Sequence, residues 1–205
     1  MLSDALAAFE MGADALGFVF APGSKRLADP DTVRRIVEEL GPFALTVGVF
    51  RDQPVLEVAA IMRRTGLKLA QLHGAENASY LADLPCPSIK ALRMDSEEDY
   101  GRLYAYPEEK YVLLDSGAGG TGRTFDWNLA KRASSSRKVI LAGGLSPENV
   151  AEAVRFVRPA GVDACSGVEI SYGVKDHARM RAFIENAREA FHEDGEPRSG
   201  KKECR

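Results

Sequence analysis

Short runs of apolar, β-branched residues recur along the chain at intervals of roughly 20 to 30 residues. Seven such runs lie at residues 15–20, 45–50, 67–72, 88–92, 111–114, 139–142 and 162–165. Nearly continuous hydrophobicity is typical of strands buried on both faces, as in a parallel sheet covered by helices. The runs therefore predict seven buried parallel strands.

Amphipathic segments with helical spacing separate these runs. The segment that begins S-P-E-N-V predicts a helix with Ser146 as its N-cap and Pro147 in its first position. Helices are predicted at residues 3–11, 31–40, 54–64, 147–157 and from Asp176 to about His192.

One helix followed by seven strand–helix units indicates an α/β fold with a parallel sheet. A doubly wound sheet is compatible with this order, but it usually has fewer strands and a topological switch point. Regular spacing favours a β/α barrel instead. Since such a barrel closes with eight strands, we predict a (β/α)8 TIM barrel whose first β-strand is absent from this chain.

Composition and charge narrow the class of protein. The 205 residues suit one domain, which we place at residues 1–192, with a polar and disordered tail at 193–205. A formal net charge of −3 gives no argument for nucleic acid or an anionic membrane. No apolar run approaches the roughly 20 residues that span a bilayer. With three cysteines in no metal-ligand spacing, we expect a cytoplasmic protein.

Two glycine motifs follow the last two predicted strands, where such barrels commonly bind phosphate. Gly143 and Gly144 end one strand, and Ser166 and Gly167 follow the next. Glycines permit close backbone approach, and the N–H groups at a helix start favour an anion. Either motif alone is compatible with simple strand termination, but two in consecutive units predict a phosphate-binding barrel.

Other candidate residues stand at further strand ends. Asp115 is either a capping residue or a general acid, next to a glycine-rich segment at residues 117–122 that could form a lid. Arg26 offers a bidentate fork for an anion, although Lys25 beside it is an equal candidate for a solvated loop charge. Further candidates for the site wall are His73 and Asp163, which a structural role would also explain. Cys165 is predicted to be a small buried filler, not a nucleophile.

Six motifs, in this order, closely resemble the phosphoribosylanthranilate isomerases of tryptophan biosynthesis. They are GADALGFVFAPGSKR, VGVFRDQ, QLHG, LLDS followed by GGTGRTFDW, LAGGLSPENV, and VDACSGVE followed by GVKD. The resemblance covers residue 3 to about residue 190. It implies a (β/α)8 barrel that performs an Amadori rearrangement of N-(5-phosphoribosyl)anthranilate, without a metal or an organic cofactor, as a monomer or homodimer.

The resemblance also implies roles for single residues. Asp115 corresponds to the general acid that opens the ribose ring, and Arg26 corresponds to the contact with the anthranilate carboxylate. His73 and Asp163 are expected to contact the substrate as well. The phosphate cradle corresponds to Gly143, Gly144, Ser166 and Gly167.

One family feature has no counterpart in this sequence. The family's general base is a cysteine in a K-I-C-G motif at the end of the first strand, and the three cysteines here fall elsewhere. A positioned general base contributes about 10² to 10⁴ in rate, and a missing strand leaves two unpaired sheet edges. We therefore expect residues 1–205 alone to be unstable, aggregation-prone or strand-borrowing, and nearly inactive.

Two alternatives stay open beside the isomerase. The chain could be a non-catalytic barrel that binds a phosphorylated ligand and has lost its base. It could also be a sister enzyme such as the histidine-pathway isomerase, which usually uses two aspartates and shows half-barrel repeats that are not evident here. The acid at Asp115, the arginine and the lid segment favour the isomerase, since a binding protein needs neither acid nor lid.

Overall fold

The computed structural model describes residues 1–107, 111–115 and 127–195. Within these ranges, seven strands form one parallel sheet whose spatial order follows the chain from β1 to β7. A short antiparallel hairpin, β8 and β9, follows the sheet. The strands are β1 (Ala15–Val19), β2 (Leu45–Phe50), β3 (Leu69–Leu72), β4 (Ser88–Arg93), β5 (Val112–Asp115), β6 (Val139–Leu141), β7 (Gly161–Val162), β8 (Glu169–Ser171) and β9 (Val174–Lys175).

Helices connect the consecutive strands and cover the sheet. They are α1 (Leu2–Glu10), α2 (Pro30–Leu40), α3 (Val55–Thr65), α4 (Ala78–Asp83), α5 (Glu97–Gly101), α6 (Trp127–Ser134), α7 (Val150–Val157) and α8 (His177–Gly195). No helix in the described part of the chain is long and apolar enough to cross a membrane. Because α8 continues through Gly195, the first three residues of the predicted tail are helical, while residues 196–205 lie outside the described ranges.

The strand order distinguishes between the doubly wound sheet and the β/α barrel, which were both compatible with the sequence. A doubly wound sheet reverses its strand order at a switch point, whereas each strand here pairs with the next one in sequence. All seven predicted strands are present. A sheet that is covered on both faces needs strands with continuous apolar sequence, and the seven apolar runs supply them. Large side chains with almost no exposure include Phe50, Leu72, Leu114 and Leu141. The seven-stranded α/β sheet of a TIM-type barrel is therefore confirmed.

The start of α7 differs from the prediction. Its N-cap is Asn149, and the helix begins at Val150, three residues after the predicted start. The Asn149 side chain accepts from the backbone N–H of Ser146 (2.9 Å) and donates to the carbonyl of Gly144 (3.0 Å). The side-chain amide of Asn149 thus fixes the loop before α7. The sequence favoured Ser146 as the N-cap because serine is also common at that position.

The two outer strands of the sheet, β1 and β7, each pair with one neighbour among the described residues. The helices α1 and α8 pack against each other. The Asp4 carboxylate of α1 lies 2.9 Å from Nε2 of His177 at the start of α8. Between β1 and β7 lies a cavity of about 840 Å³ that reaches the carboxyl ends of the strands.

Candidate active site

Seven of the eight candidate site residues line the cavity between β1 and β7. They come from loops after β1, β3, β6 and β7 and from the last residue of β5, which are far apart in sequence. The lining residues are Arg26, His73, Asp115, Gly143, Gly144, Asp163 and Ser166. Parallel strands place these groups together because their carboxyl ends meet at one end of the sheet. The eighth candidate, Gly167, is not among the residues that line the cavity.

His73 and Asp115 form a hydrogen-bonded pair across the cavity. Nε2 of His73 lies 3.0 Å from Oδ2 of Asp115, and Nδ1 lies 3.3 Å from Nε2 of Gln71. An amide nitrogen only donates, so Nδ1 accepts and the ring proton of a neutral His73 is on Nε2. His73 therefore donates to Asp115, and Oδ1 of Asp115 keeps no hydrogen-bond partner among the described residues.

A buried ion pair that the sequence did not reveal supports the loop carrying His73. Lys90 of β4 and Glu76 are 2.8 Å apart, and each side chain is 2% exposed. Lys90 also donates to the carbonyls of Leu72 and Gly74, while Glu76 accepts from the N–H of Gly74 (2.9 Å). The hydrogen bond of Lys90 holds the pKa of Glu76 below its usual value, although burial alone would raise it. These bonds fix the backbone on both sides of His73.

Asp163 follows β7 and is the second carboxyl group in the cavity. Solvent reaches it from the cavity, while the protein around it makes ionisation costly. Burial, and then the charge of Asp115, raise the pKa of Asp163, whereas His73 and Lys175 act in the opposite direction. The surroundings of Asp163 therefore disfavour its ionised form.

The raised pKa of Asp163 predicts a pH-dependent gain in stability for Asp163→Asn. An unfolded aspartate has a pKa of about 3.9, so between that pH and its folded pKa the folded state binds more protons. The stability of the parent therefore falls as the pH rises through this window. In thermal melts we expect parent and variant to coincide near pH 4 and the variant to melt higher at pH 7. A difference in melting temperature between variant and parent that shrinks with rising pH would contradict this expectation. The control is Asp83→Asn, because Asp83 is exposed.

The two glycine motifs form neighbouring loops after β6 and β7. Gly143 and Gly144 adopt φ values of 81° and 70°, a left-handed conformation that favours glycine. Gly167 packs against the first loop: a Cβ atom there would lie 2.0 Å from the carbonyl oxygen of Leu145. Arg179 of α8 donates to the Gly167 carbonyl (2.9 Å) and pairs with Glu148. Gly167 is thus placed to hold the two loops together.

Replacement of Gly167 by alanine is expected to destabilise the protein by about 1–3 kcal/mol, the usual cost of inserting a methylene into a packed site. The clash is with backbone, which cannot rotate away. Urea unfolding measures the change, with Gly101→Ala as the matched control because a Cβ atom at Gly101 meets nothing within 4 Å. Equal midpoints for the two variants would refute the proposed contact.

Arg26 reaches the cavity, whereas Lys25 is not among the residues that line it. Lys25 is exposed, with Nζ 4.5 Å from the ring centre of Tyr172. The Arg26 side chain is 20% exposed and binds Glu169 through Nε and Nη2. This hydrogen bond raises the pKa of Arg26 further above neutrality. Of the two neighbouring cations, Arg26 has the position to meet a ligand.

Cys165 corrects one of our interpretations. The residue is exposed and lines the cavity, so the prediction of a buried filler is wrong. β7 ends at Val162, so Cys165 lies in the loop beyond the sheet and not within a buried strand. Desolvation within the surrounding loops raises the pKa of the thiol. At neutral pH, less of Cys165 is therefore present as the thiolate than in a free cysteine.

Some expectations fall outside what the structure describes. The glycine-rich lid segment at residues 117–122 lies within the undescribed range 116–126. Within the described ranges, no three His, Cys, Asp or Glu side chains are arranged to hold a metal ion.

A parallel α/β barrel sheet with acidic, basic and glycine-rich groups around one cavity at its strand ends defines a barrel enzyme for small phosphorylated metabolites. The sequence profile of N-(5'-phosphoribosyl)anthranilate (PRA) isomerase matches residues 1–186. The chain belongs to this family of isomerases.

Individual relatives agree with this membership over nearly their whole length. The N-(5'-phosphoribosyl)anthranilate isomerase of Desulforudis audaxviator is 47% identical over 196 residues, which are 93% of this chain and 95% of that protein. The crystal structure of phosphoribosyl anthranilate isomerase from Thermotoga maritima has a TM-score of 0.86 and 41% identity, covering 92% of this chain and 95% of the other.

Two further structures concern a ligand and an assembly. A phosphoribosyl anthranilate isomerase in complex with reduced 1-(o-carboxyphenylamino)-1-deoxyribulose 5-phosphate has a TM-score of 0.84 and 40% identity, covering 92% and 94% of the two chains. Monomers generated from the dimeric enzyme of Thermotoga maritima have a TM-score of 0.85 and 38% identity, with the same coverage.

Proposed function

We propose that this cavity rearranges N-(5-phosphoribosyl)anthranilate to 1-(2-carboxyphenylamino)-1-deoxyribulose 5-phosphate in tryptophan biosynthesis, without a metal or organic cofactor. The observation that carries the proposal is the position of Asp115, which faces the same cavity as Arg26 and the glycine loops. A carboxyl acid, a carboxylate-binding arginine and a phosphate site are the groups that this substrate requires.

Ring opening is the step assigned to Asp115. In its acid form, Asp115 gives its proton to the ribose ring oxygen while the C1–O bond breaks, and the anilino nitrogen forms a Schiff base with C1. Since His73 donates to Oδ2, the other carboxyl oxygen is available for the substrate. Removal of the C2 proton then gives an enolamine, which becomes the ketone product on protonation at C1.

Substrate binding divides between two sides of the cavity. Arg26 meets the anthranilate carboxylate, and Gly143, Gly144 and Ser166 offer backbone N–H groups to the phosphate dianion, with Gly167 holding their loops together. We assign Asp163 and His73 to contacts with the ribose hydroxyls. The separation of two anionic groups between two binding regions orients the sugar with its ring oxygen toward Asp115.

Neither of the two cysteines that the structure describes, Cys86 and Cys165, is assigned as the general base. Cys165 is a poor candidate because its thiol pKa is raised and its Sγ lies 3.7 Å from a Glu169 oxygen. We propose that the space between β1 and β7 would accept an eighth parallel strand ending in K-I-C-G, whose cysteine would then face the cavity. Support comes from the outward edges of β1 and β7 and from the apolar lining of Phe18, Phe183 and Ala187 between them.

The cellular compartment, the kind of partner and the oligomeric state are inferred in general terms. We infer a cytoplasmic protein that acts on a small molecule and not on nucleic acid, as a monomer or a homodimer. The dimeric relative supports the second of these states, and the free thiols of Cys86 and Cys165 are compatible with a reducing compartment.

Loss of substrate anthranilate fluorescence, followed with enzyme in excess so that slow turnover is visible, tests the function. Turnover that Arg26→Met slows and Lys25→Met leaves unchanged would support the assignment. Binding of the reduced product without any turnover would instead indicate the non-catalytic barrel. Binding of neither molecule would reject the substrate class.

A further inference from the structure

Glu169 binds only one edge of the planar guanidinium group of Arg26. Nε of Arg26 donates to both Glu169 oxygens, at 2.9 and 3.0 Å, and Nη2 donates to Oε2 at 2.6 Å. The guanidinium has a second edge, formed by Nη1 and the outer hydrogen of Nη2. Nη1 has no hydrogen-bond partner among the described residues, so this second edge can receive another carboxylate in the same bidentate geometry.

The plane of the guanidinium is fixed as well. The ring of Tyr172, in the turn between β8 and β9, lies 4.8 Å from Cζ of Arg26. A planar cation packed on an aromatic face keeps its orientation better than a free side chain. With one edge on Glu169 and one face on Tyr172, the free edge of Arg26 has a defined direction.

Glu169 itself is firmly held. Its side chain is 4% exposed, and Lys175 of β9 donates to Oε1 (3.2 Å) and to the Cys165 carbonyl (3.0 Å). Burial alone would raise the pKa of Glu169, but the hydrogen bond of Arg26 and the charge of Lys175 hold it below its usual value. The carboxylate is therefore ionised at neutral pH. Arg26, Lys175 and Glu169 together carry one net positive charge, which matches a single carboxylate.

The pair also joins two parts of the chain that the sheet does not connect. Arg26 lies after β1 and Glu169 after β7, and they are separated by 143 positions. Since β1 and β7 each pair with one neighbour among the described residues, this ion pair is a direct link between the loops that follow the two outer strands. The position of Arg26 in the cavity thus depends on Glu169.

We propose that Glu169 is a positioning residue that aims the free edge of Arg26 at the carboxylate of an ortho-carboxyanilino ligand, and so sets the preference for a carboxylated aromatic amine. The proposal rests on the proposed function and extends it from binding to selectivity. Glu169 touches Arg26 and not the substrate. Its removal should therefore affect carboxylated ligands and spare ligands that lack the carboxylate.

Calorimetric titration with the reduced carboxyphenylamino product and its decarboxylated phenylamino counterpart tests this without turnover. In Glu169→Gln we expect the Kd of the carboxylated ligand to rise about 10- to 100-fold, the usual effect of losing a supporting charged partner. The Kd values of the decarboxylated ligand and of inorganic phosphate should change less than about 3-fold. Equal losses for both organic ligands, or tighter binding of the carboxylated one, would overturn the proposal.

Asp31→Asn is the matched control. Asp31 of α2 binds Nε and Nη2 of Arg64 in the same bidentate manner, at 3.1 and 2.6 Å; both side chains are exposed, and neither is among the residues that line the cavity. This variant should leave all three Kd values unchanged.

A double-mutant cycle keeps the proposal testable if Glu169→Gln also loosens the fold. With Arg26→Met already present, Glu169→Gln should cause no further loss for the carboxylated ligand, and additive losses would reject the positioning role. Failure of the proposed function has a different signature, since the parent chain would then bind neither organic ligand.

Discussion

Asp115→Asn is expected to lower kcat by about 10² to 10⁴, the usual contribution of a positioned general acid. The amide has nearly the same shape, and its oxygen can still accept from His73 Nε2, but it has no acidic proton for the ribose oxygen. Because proton transfer occurs only in the transition state, kcat and kcat/KM should fall together while KM changes little. Single-turnover fluorescence decay with enzyme in excess measures this difference even when the parent is slow.

Binding of the reduced product to the Asp115→Asn variant is the necessary control, and its Kd should stay within about 3-fold of the parent value. Asp83→Asn, an exposed carboxylate at the end of α4, should match the parent in both measurements. If the Asp115→Asn variant kept the kcat of the parent, Asp115 would not be the general acid. A variant that binds the product much more weakly would make Asp115 a binding group instead of an acid.

The strands were predictable for a simple physical reason. The strands β2 to β6 are mostly buried on both faces, so their sequences are apolar runs. The limits of all the predicted strands agree with the structure within about two residues, except in β7. There the sheet ends after Val162, and the polar Asp163 already turns into the loop. The helices α4, α5 and α6 were not predicted. The first two have only six and five residues, and α4 buries none of them. The eight residues of α6 bury only Ala130 and Ala133. Elements that short lack a full apolar stripe.

The site was predictable one strand end at a time, but its connections were not. The position of Asp115 follows from the barrel order, because a residue at the carboxyl end of a strand faces the site. The bond between Arg26 and Glu169 spans 143 positions, and no local pattern reports such a pair. Lys90 is another case: a lysine within an apolar strand looks like an interruption, yet it is buried against Glu76 and supports the loop that carries His73.

Addition of an eighth strand is expected to change this protein more than any single substitution. We predict that an extension ahead of Met1, with about six apolar residues ending in K-I-C-G, raises kcat by about 10² to 10⁴ over residues 1–205. The extension would supply the thiol that takes the C2 proton. It would also pair with the outward edges of β1 and β7, each of which has only one neighbouring strand among the described residues.

The same extension with alanine in place of its cysteine separates the two effects. It should pair with the sheet and raise the melting temperature as much as the first extension does, yet leave kcat at the level of residues 1–205. Size-exclusion chromatography should show less aggregate for both extended chains. If residues 1–205 alone form a stable, soluble enzyme with turnover equal to the extended chain, then the base lies among the residues discussed above. Asp163, which lines the same cavity as Asp115, would then be the first residue to replace.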